Sequence, residues 1–208
     1  MGIDAARLGR FAARAWAAAL LCCLAALAPM RASGQDRGAA ATDVEAAYLV
    51  NFLRYTQWPA ERLPSPDAPL VLTVVGPEQV ADRVRAVAAA AGPVGSHPIV
   101  VRSLAVPRGS LEAPLGSDRD REAAQLMRAS HLVFFHEDAA FVHPQVFADL
   151  WGQPVLTVGN ARGFTGRGGM LGLFRSGGNI LFEANPGAIR NSGLVVSAKV
   201  LKLARTAR

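Results

Sequence analysis

Residues 169–208 read GMLGLFRSGGNILFEANPGAIRNSGLVVSAKVLKLARTAR, and the rest of the chain must pack against the unit that they form. Two short apolar runs, 170–174 and 180–183, flank the segment 175–179. The glycines and the asparagine of that segment supply the positive φ angles that a tight reversal needs. The pattern predicts a C-terminal antiparallel β-hairpin.

A helix is predicted to follow the hairpin. Asn185 can cap its first turn, and Pro186 suits the first helical position, where a missing N–H costs nothing. Apolar residues and one glycine then recur at helical spacing, with basic residues beside them: Ile189, Gly193, Val196, Val200 and Leu203 in the stripe, and Arg190, Lys199, Lys202 and Arg205 off it. We therefore predict one long C-terminal helix, in which Gly193 marks a close approach to another backbone.

The first 34 residues have the pattern of an export signal. Arginines at positions 7, 10 and 14 precede an apolar run over 15–28, which is short for a membrane-spanning helix. Small residues at 32–34 predict cleavage near Gly34, a linker over 35–41 and a single domain over 42–208. An uncleaved membrane anchor is the alternative.

Removal of this signal changes the charge and the cysteine count. It leaves 18 basic and 15 acidic residues, a net charge of +3, so the high pI indicates no nucleic-acid partner. Cys22 and Cys23 leave with the signal, and the mature chain then has neither a disulfide nor a thiol nucleophile.

Upstream of the hairpin, helical and extended patterns alternate. Thr42 and Glu45 match a capping box that opens a helix to about residue 57. Apolar runs predict strands, and helical spacing predicts helices between them: strands at 70–75, 99–101, 131–135 and 154–158, and helices at 78–91 and from 118. Such alternation requires crossover connections. The predicted fold class is α/β, a mostly parallel sheet with helices on both faces, ending in the antiparallel hairpin and the long helix.

Ligands of open α/β sheets sit at the carboxyl ends of the strands, where polar residues follow positions 135 and 158. His136, Glu137, Asp138 and His143 could hold zinc, but their spacing matches no metal motif, and a solvated loop is the favoured interpretation. The glycine-rich loop 159–169 carries Arg162 and Arg167, which could bind an anion. It leads into a strand and not a helix, so it is either a long flexible connection or a loop that binds a partner or an anion.

Catalytic motifs are missing from the sequence. It has no G-x-S-x-G elbow and no Ser-x-x-Lys, and Glu137 and Asp138 are adjacent and point apart. We therefore predict a protein that is not an enzyme and uses no cofactor or metal. A hydrolase or metalloenzyme remains the weakest of the alternatives.

Several segments in order resemble the YfiR family of exported bacterial proteins. The segments are 46–59 (AAYLVNFLRYTQWP), 131–134 (HLVF), 156–158 (LTV), 163–164 (GF), 168–170 (GGM), 179–189 (NILFEANPGAI), 193–197 (GLVVS) and 201–204 (LKLA). No one motif is specific, but their order and spacing are. One departure is the lack of the cysteine pairs that well-known members carry in the exported domain.

This resemblance implies a periplasmic regulator without catalytic activity. Such proteins bind the periplasmic part of an inner-membrane diguanylate cyclase and hold it inactive, which lowers cyclic-di-GMP output and affects biofilm formation. Related domains accompany sensor kinases. The resemblance also implies a homodimer and an outer-membrane lipoprotein that can sequester the regulator. By alignment, the residues that matter for repression are Glu183 and Ile189; a purely structural role for both is the alternative.

The partner-binding surface is predicted at the corner where hairpin and helix meet, together with the glycine-rich loop. Its residues are Glu183, Ile189, Arg190, Arg162, Phe164 and Arg167. A second hypothesis is a periplasmic small-ligand binder that feeds a sensor or transporter, with a pocket lined by Trp58, Trp151, Arg162 and Arg167.

Overall fold

The computed structural model describes residues 34–105, 118–139 and 149–206. The chain divides into two units, residues 1–37 and 38–208, and the fold below is that of the second unit. It is a mixed α/β fold with a mostly parallel sheet, which confirms the predicted class. No helix in the described part of the chain combines the length and the hydropathy needed to cross a bilayer.

Helices and strands alternate through most of the unit. The helices are α1 (Gly34–Arg54), α2 (Glu78–Ala91), α3 (Asp118–Arg128), α4 (Pro186–Asn191) and α5 (Ala198–Leu201). The strands are β1 (Thr56–Gln57), β2 (Leu70–Val75), β3 (Ile99–Leu104), β4 (Leu132–Phe135), β5 (Leu156–Gly159), β6 (Leu171–Ser176), β7 (Asn179–Ala184), β8 (Val195–Val196) and β9 (Arg205–Thr206). Short 3-10 turns occupy Ala60–Arg62, Glu137–Ala139 and Thr165–Arg167.

Seven of these strands form one sheet in the order β3-β2-β4-β5-β6-β7-β9. The strands from β3 to β6 are parallel to their neighbours, β7 is antiparallel to β6, and β9 is parallel to β7. The two remaining strands, β1 and β8, pair with each other as a separate antiparallel ribbon.

Both faces of the sheet are covered, because successive side chains of a strand point to opposite faces. On β4, Leu132 and Phe134 join the large core cluster that contains the α1 and α2 side chains. Val133 and Phe135 join a second cluster with Met127 of α3. All four β4 residues are buried, as expected of a central parallel strand.

The predicted hairpin is confirmed. Strands β6 and β7 pair in register, with Leu173 opposite Phe182. The reversal is made by Gly177 and Gly178, whose φ angles are +57° and +85°. Two consecutive positive φ angles match the twist of the flanking strands, which is why the two glycines stand there.

The prediction of one long C-terminal helix is wrong. Asn185 does cap α4, and its Oδ1 accepts a hydrogen bond from Ala188 N at 3.1 Å, but α4 ends at Asn191. Gly193 has φ +71°, a left-handed conformation that breaks the helix. A Cβ at Gly193 would meet nothing within 4 Å, so this glycine serves the turn and not a close backbone contact.

After this turn the chain becomes extended as β8 and pairs with β1, the short strand that follows α1. Val196 lies opposite Thr56, and Ser197 N donates to Tyr55 O at 2.9 Å. Ser197 then caps the short helix α5. The strand pairing satisfies backbone groups that a continuous helix would otherwise satisfy internally.

Helix α1 also differs from its predicted limits. It begins at Gly34, so the stretch 35–41, predicted as a linker, is helical. Thr42 lies inside the helix, where its hydroxyl donates to Gly38 O at 3.1 Å instead of capping a first turn. The helix ends at Arg54 and not near residue 57, because Thr56 and Gln57 form β1.

Candidate functional site

A cavity of about 500 Å³ lies where the carboxyl end of β5 meets the β6–β7 hairpin and helix α1. Parallel strands bring their carboxyl ends to one edge of a sheet, which is where such folds bind ligands. The lining residues come from five separate segments: Glu45, Glu137, Asn160, Ala161, Arg162, Gly163, Gly172, Leu173, Phe174, Arg175 and Glu183.

One wall of the cavity is a buried carboxylate on α1. Glu45 accepts hydrogen bonds from Asn160 Nδ2 at 3.2 Å and 3.1 Å, one to each carboxylate oxygen. Burial raises the pKa of Glu45 above its usual value, although the hydrogen bond from Asn160 opposes that shift. The Asn160 Oδ1 atom is buried and has no hydrogen-bond partner, so the wall offers acceptor atoms to whatever enters.

A second carboxylate, Glu183 on β7, is held by the glycine-rich loop. The Thr165 hydroxyl donates to Glu183 Oε1, and Asn185 Nδ2 donates to the Thr165 carbonyl at 3.2 Å. Gly172 lies opposite Glu183 in the hairpin register, and a Cβ there would come within 3.0 Å of the Glu183 Oε1 atom. Because Gly172 has no side chain, the Glu183 carboxylate has space to lie beside it.

Two arginines bring positive charge to the same cavity. Arg162 and Arg175 are exposed, and neither forms an ion pair with any described residue. The cavity thus combines fixed carboxylates with unpaired guanidinium groups. Such a mixed arrangement selects a partner by charge pattern more than by hydrophobic contact.

The loop that carries Arg162 is anchored by one aromatic ring. Phe164 is buried, and its ring lies between Gly159 and Gly169, where an added Cβ would fall 2.4 Å and 2.1 Å from ring atoms. Arg167 Nη1 donates to the Arg162 carbonyl at 2.9 Å. This loop is a packed element and not the long flexible connection that was one of the predicted alternatives.

A family model described as YfiR/HmsC-like matches residues 42–205, which is most of the chain. The chain belongs to the YfiR/HmsC-like family. This membership confirms the resemblance seen in the sequence, and it places the chain among periplasmic regulatory proteins of diguanylate cyclase signalling.

The YfiR-like fold brings together only some of the residues predicted to bind a partner. Glu183 and Arg162 both line the cavity. Ile189 is only 4% exposed and packs in the main core cluster, and Phe164 is also buried. Their burial favours a structural role in positioning the neighbouring surface. Arg190 and Arg167 are exposed and lie outside the cavity lining.

The residues of the small-ligand hypothesis do not form one pocket wall in this YfiR-like fold, although Trp151 lies against Gly168 and Arg167 bonds to the Arg162 carbonyl. Of its four predicted lining residues, only Arg162 lines the cavity. Trp58 donates its indole N–H to the His131 carbonyl at 3.1 Å, and Trp151 is exposed. Trp58, Trp151 and Arg167 therefore do not line this cavity.

The metal hypothesis finds little support in the geometry. His136 Nδ1 lies 3.6 Å from Asp138 Oδ2, but within the described ranges no group of three histidine, cysteine or acidic side chains could hold an ion. His143 lies outside the described residues.

Three of the six polar or charged side chains that line the cavity are not assigned to a site by the sequence: Glu45, Asn160 and Arg175. The sequence pattern predicts a helix-capping role for Glu45, and nothing in the sequence brings it to Asn160. The hydrogen bonds between Glu45 and Asn160 form only because α1 packs against the loop after β5.

Proposed function

We propose that this protein is an exported regulator that binds the periplasmic domain of an inner-membrane signalling protein, a diguanylate cyclase or a sensor kinase, and holds it inactive. For a cyclase, the result is lower cyclic-di-GMP output and less biofilm formation. The proposal rests on the cavity that Glu183 lines, in a chain that belongs to the YfiR/HmsC-like family. The regulator acts by binding the inactive state of its receptor more tightly than the active state.

The cavity surface supports contact with a protein. Glu183 is oriented by Thr165 before any partner arrives, so little side-chain entropy is lost on binding. Arg162 and Arg175 offer two exposed guanidinium groups, which suit carboxylates on a receptor. Half-buried Phe174 adds apolar area between these charges.

The proposal includes the setting in which this contact forms. Residues 1–34 act as a cleaved export signal, the regulator is a homodimer in the periplasm, and an outer-membrane lipoprotein can sequester it. The support for this setting is the signal-like sequence and the family membership.

The Glu183→Gln variant tests the contact surface. Glutamine keeps the size and one acceptor oxygen but removes the charge, so receptor affinity is expected to fall about tenfold, as for a partly desolvated charged contact. The measurement is titration with the purified periplasmic domain of a candidate diguanylate cyclase from the same cell, together with cellular cyclic-di-GMP, which should rise in the variant strain.

The matched control is Glu122→Gln, an exposed position on α3 that makes the same chemical change outside the cavity lining. It should bind the receptor like the parent protein. Both variants should unfold within about 2 °C of the parent, which corresponds to less than about 1 kcal/mol for a domain of this size. Parental affinity in Glu183→Gln would reject this surface as the contact.

A second candidate function is the binding of a small periplasmic ligand in the same cavity. The specific observation in its favour is the buried, unpartnered Asn160 Oδ1 beside Glu45, since a donor group of a ligand would satisfy that atom. A metabolite that raises the melting temperature of the parent but not of Asn160→Ala supports this candidate. An equal shift in both proteins places the ligand elsewhere.

A further inference from the structure

A second surface of the molecule combines exposed apolar side chains with basic ones. Tyr55, Val195 and Leu203 are 44%, 59% and 77% exposed, which is unusual for large apolar residues. We call this surface the basic corner, defined by Arg54, Tyr55, Val195, Lys199, Lys202 and Leu203. None of the six lines the cavity.

The β1–β8 ribbon places the first two apolar residues on one face. Gln57 is opposite Val195, and the next pair along the ribbon, Tyr55 and Ser197, is joined by a backbone hydrogen bond. Because side chains alternate along a strand, Tyr55 and Val195 share the outward face, while Thr56 and Val196 are buried on the other. The outward face therefore presents Tyr55 and Val195 beside the exposed Gln57.

The chain after β8 adds positive charge beside this ribbon, since Ser197, which bonds to Tyr55, also caps α5. Lys199 lies in α5, Lys202 is its C-cap and Leu203 follows, and all three are exposed. Val200 is buried in the core. Arg54, at the end of α1, adds a third exposed cation directly before Tyr55.

The charge of the two contributing segments is entirely positive. Residues 46–60 and 184–206 contain five basic residues and no acidic one, and both lysines of the 208-residue chain lie at the corner. None of the three corner cations forms an ion pair with another described residue. Their charge is available to an external anionic surface.

We propose that the basic corner docks on a bilayer that contains anionic phospholipid. Lys199, Lys202 and Arg54 would lie at the headgroup phosphates, and the three apolar side chains would enter the interfacial region. Protein segments that bind at a membrane interface typically combine cationic side chains with aromatic and aliphatic ones. The corner residues are highly exposed, which suits a fluid surface better than a pocket for a protein side chain. The inference does not depend on the receptor or on the cavity.

Vesicle co-sedimentation tests this proposal with the protein purified after export. Binding is expected to vesicles of phosphatidylglycerol and phosphatidylcholine, and not to phosphatidylcholine alone, and it should weaken as salt is raised. Each lysine near an anionic surface contributes about fivefold in affinity, so Lys199→Gln with Lys202→Gln should lower the partition constant about 25-fold.

The matched control is Arg102→Glu, which also changes the net charge by −2 but lies on the exposed side of edge strand β3. It should retain most of the vesicle binding. Equal loss in Arg102→Glu and in the lysine variant would mean that only net charge matters, and it would overturn the proposal. Equal binding to neutral vesicles, or no binding to anionic ones, would do the same.

Amine labelling gives a second readout, because Lys199 and Lys202 are the only lysines. Anionic vesicles should protect both from acylation, as read by mass spectrometry. Protection by the receptor domain in the absence of lipid, with no protection by vesicles, would assign the corner to a protein partner and overturn the lipid proposal.

Discussion

Replacing Gly169 by alanine is expected to lower the free energy of unfolding by about 3 kcal/mol, the upper range for overpacking a filled core. The new Cβ would lie 2.1 Å from Phe164 Cε1, and the ring cannot move away because Gly159 lies against its opposite edge, at Cδ2 and Cε2. Alanine also reduces the entropy of the unfolded chain, which offsets at most about 1 kcal/mol. Urea denaturation should show the lower midpoint, with a melting temperature roughly 10 °C below the parent.

Gly166→Ala is the matched control in the same loop. A Cβ there meets nothing within 4 Å, and Gly166 does not have a positive φ, so the change should stay within about 0.5 kcal/mol. In a Phe164→Leu background the smaller side chain makes room, and Gly169→Ala should then cost at least about 1 kcal/mol less than in the parent. If the unfolding free-energy costs of Phe164→Leu and Gly169→Ala were fully additive, the two residues would not be in tight contact, which would contradict the packing of Phe164 between the two glycines.

The central elements were predictable because their signals are local. The apolar β-branched run that predicted a strand at 70–75 forms β2 (Leu70–Val75), and the helical spacing at 78–91 forms α2 (Glu78–Ala91). The hairpin was equally clear, because two adjacent glycines between apolar runs admit few other conformations. In these elements the backbone preference and the tertiary fold agree.

The C-terminal segment shows why periodicity can mislead. Val196 fits both a helical stripe and an extended strand, and the outcome depends on β1, a partner far upstream in the sequence. The left-handed Gly193 breaks the stripe, but a single glycine inside a helical pattern does not reveal its φ angle.

Prediction of the cavity was limited in the same way. The sequence predicts Glu183 and Arg162 as binding residues, but strand order and helix position, which the sequence does not show directly, bring Glu45 and Arg175 to the same cavity. The aliphatic residue that the resemblance implicated, Ile189, belongs to the core and not to the exposed surface.

His131→Ala is expected to cost about 3 kcal/mol, because it removes the partners of two backbone groups, each worth about 1–3 kcal/mol when buried and unsatisfied. Val71 N donates to His131 Nδ1 at 3.0 Å, and Nε2–H donates to the Arg62 carbonyl at 3.0 Å. Both contacts require the neutral ring with its proton on Nε2. His131 is buried, and its two hydrogen bonds stabilise the fold where β4 begins.

Two further variants divide this cost between the two hydrogen bonds. Asparagine can place an oxygen near the Nδ1 position and keep the bond from Val71, whereas glutamine can place an N–H near Nε2 and keep the bond to Arg62. Each should recover roughly half of the loss seen in His131→Ala. His97→Asn, a half-buried histidine with a single contact to the Ala68 carbonyl, is the control and should cost less than about 1 kcal/mol.

The stability difference between the parent and His131→Asn should depend on pH. Burial lowers the pKa of His131 below its ordinary value near 6.5, although the hydrogen bond to the Arg62 carbonyl opposes that shift. The unfolded state therefore binds the proton first as the pH falls, so the contribution of His131 is complete above about pH 6.5 and declines from there towards the lower folded pKa. Urea titrations from pH 5 to 8 should show the advantage of the parent shrinking at acid pH. If the advantage of the parent stayed constant over that range, the pKa of His131 would be the same in the folded and unfolded states. That result would contradict the neutral, doubly hydrogen-bonded ring as the source of its effect.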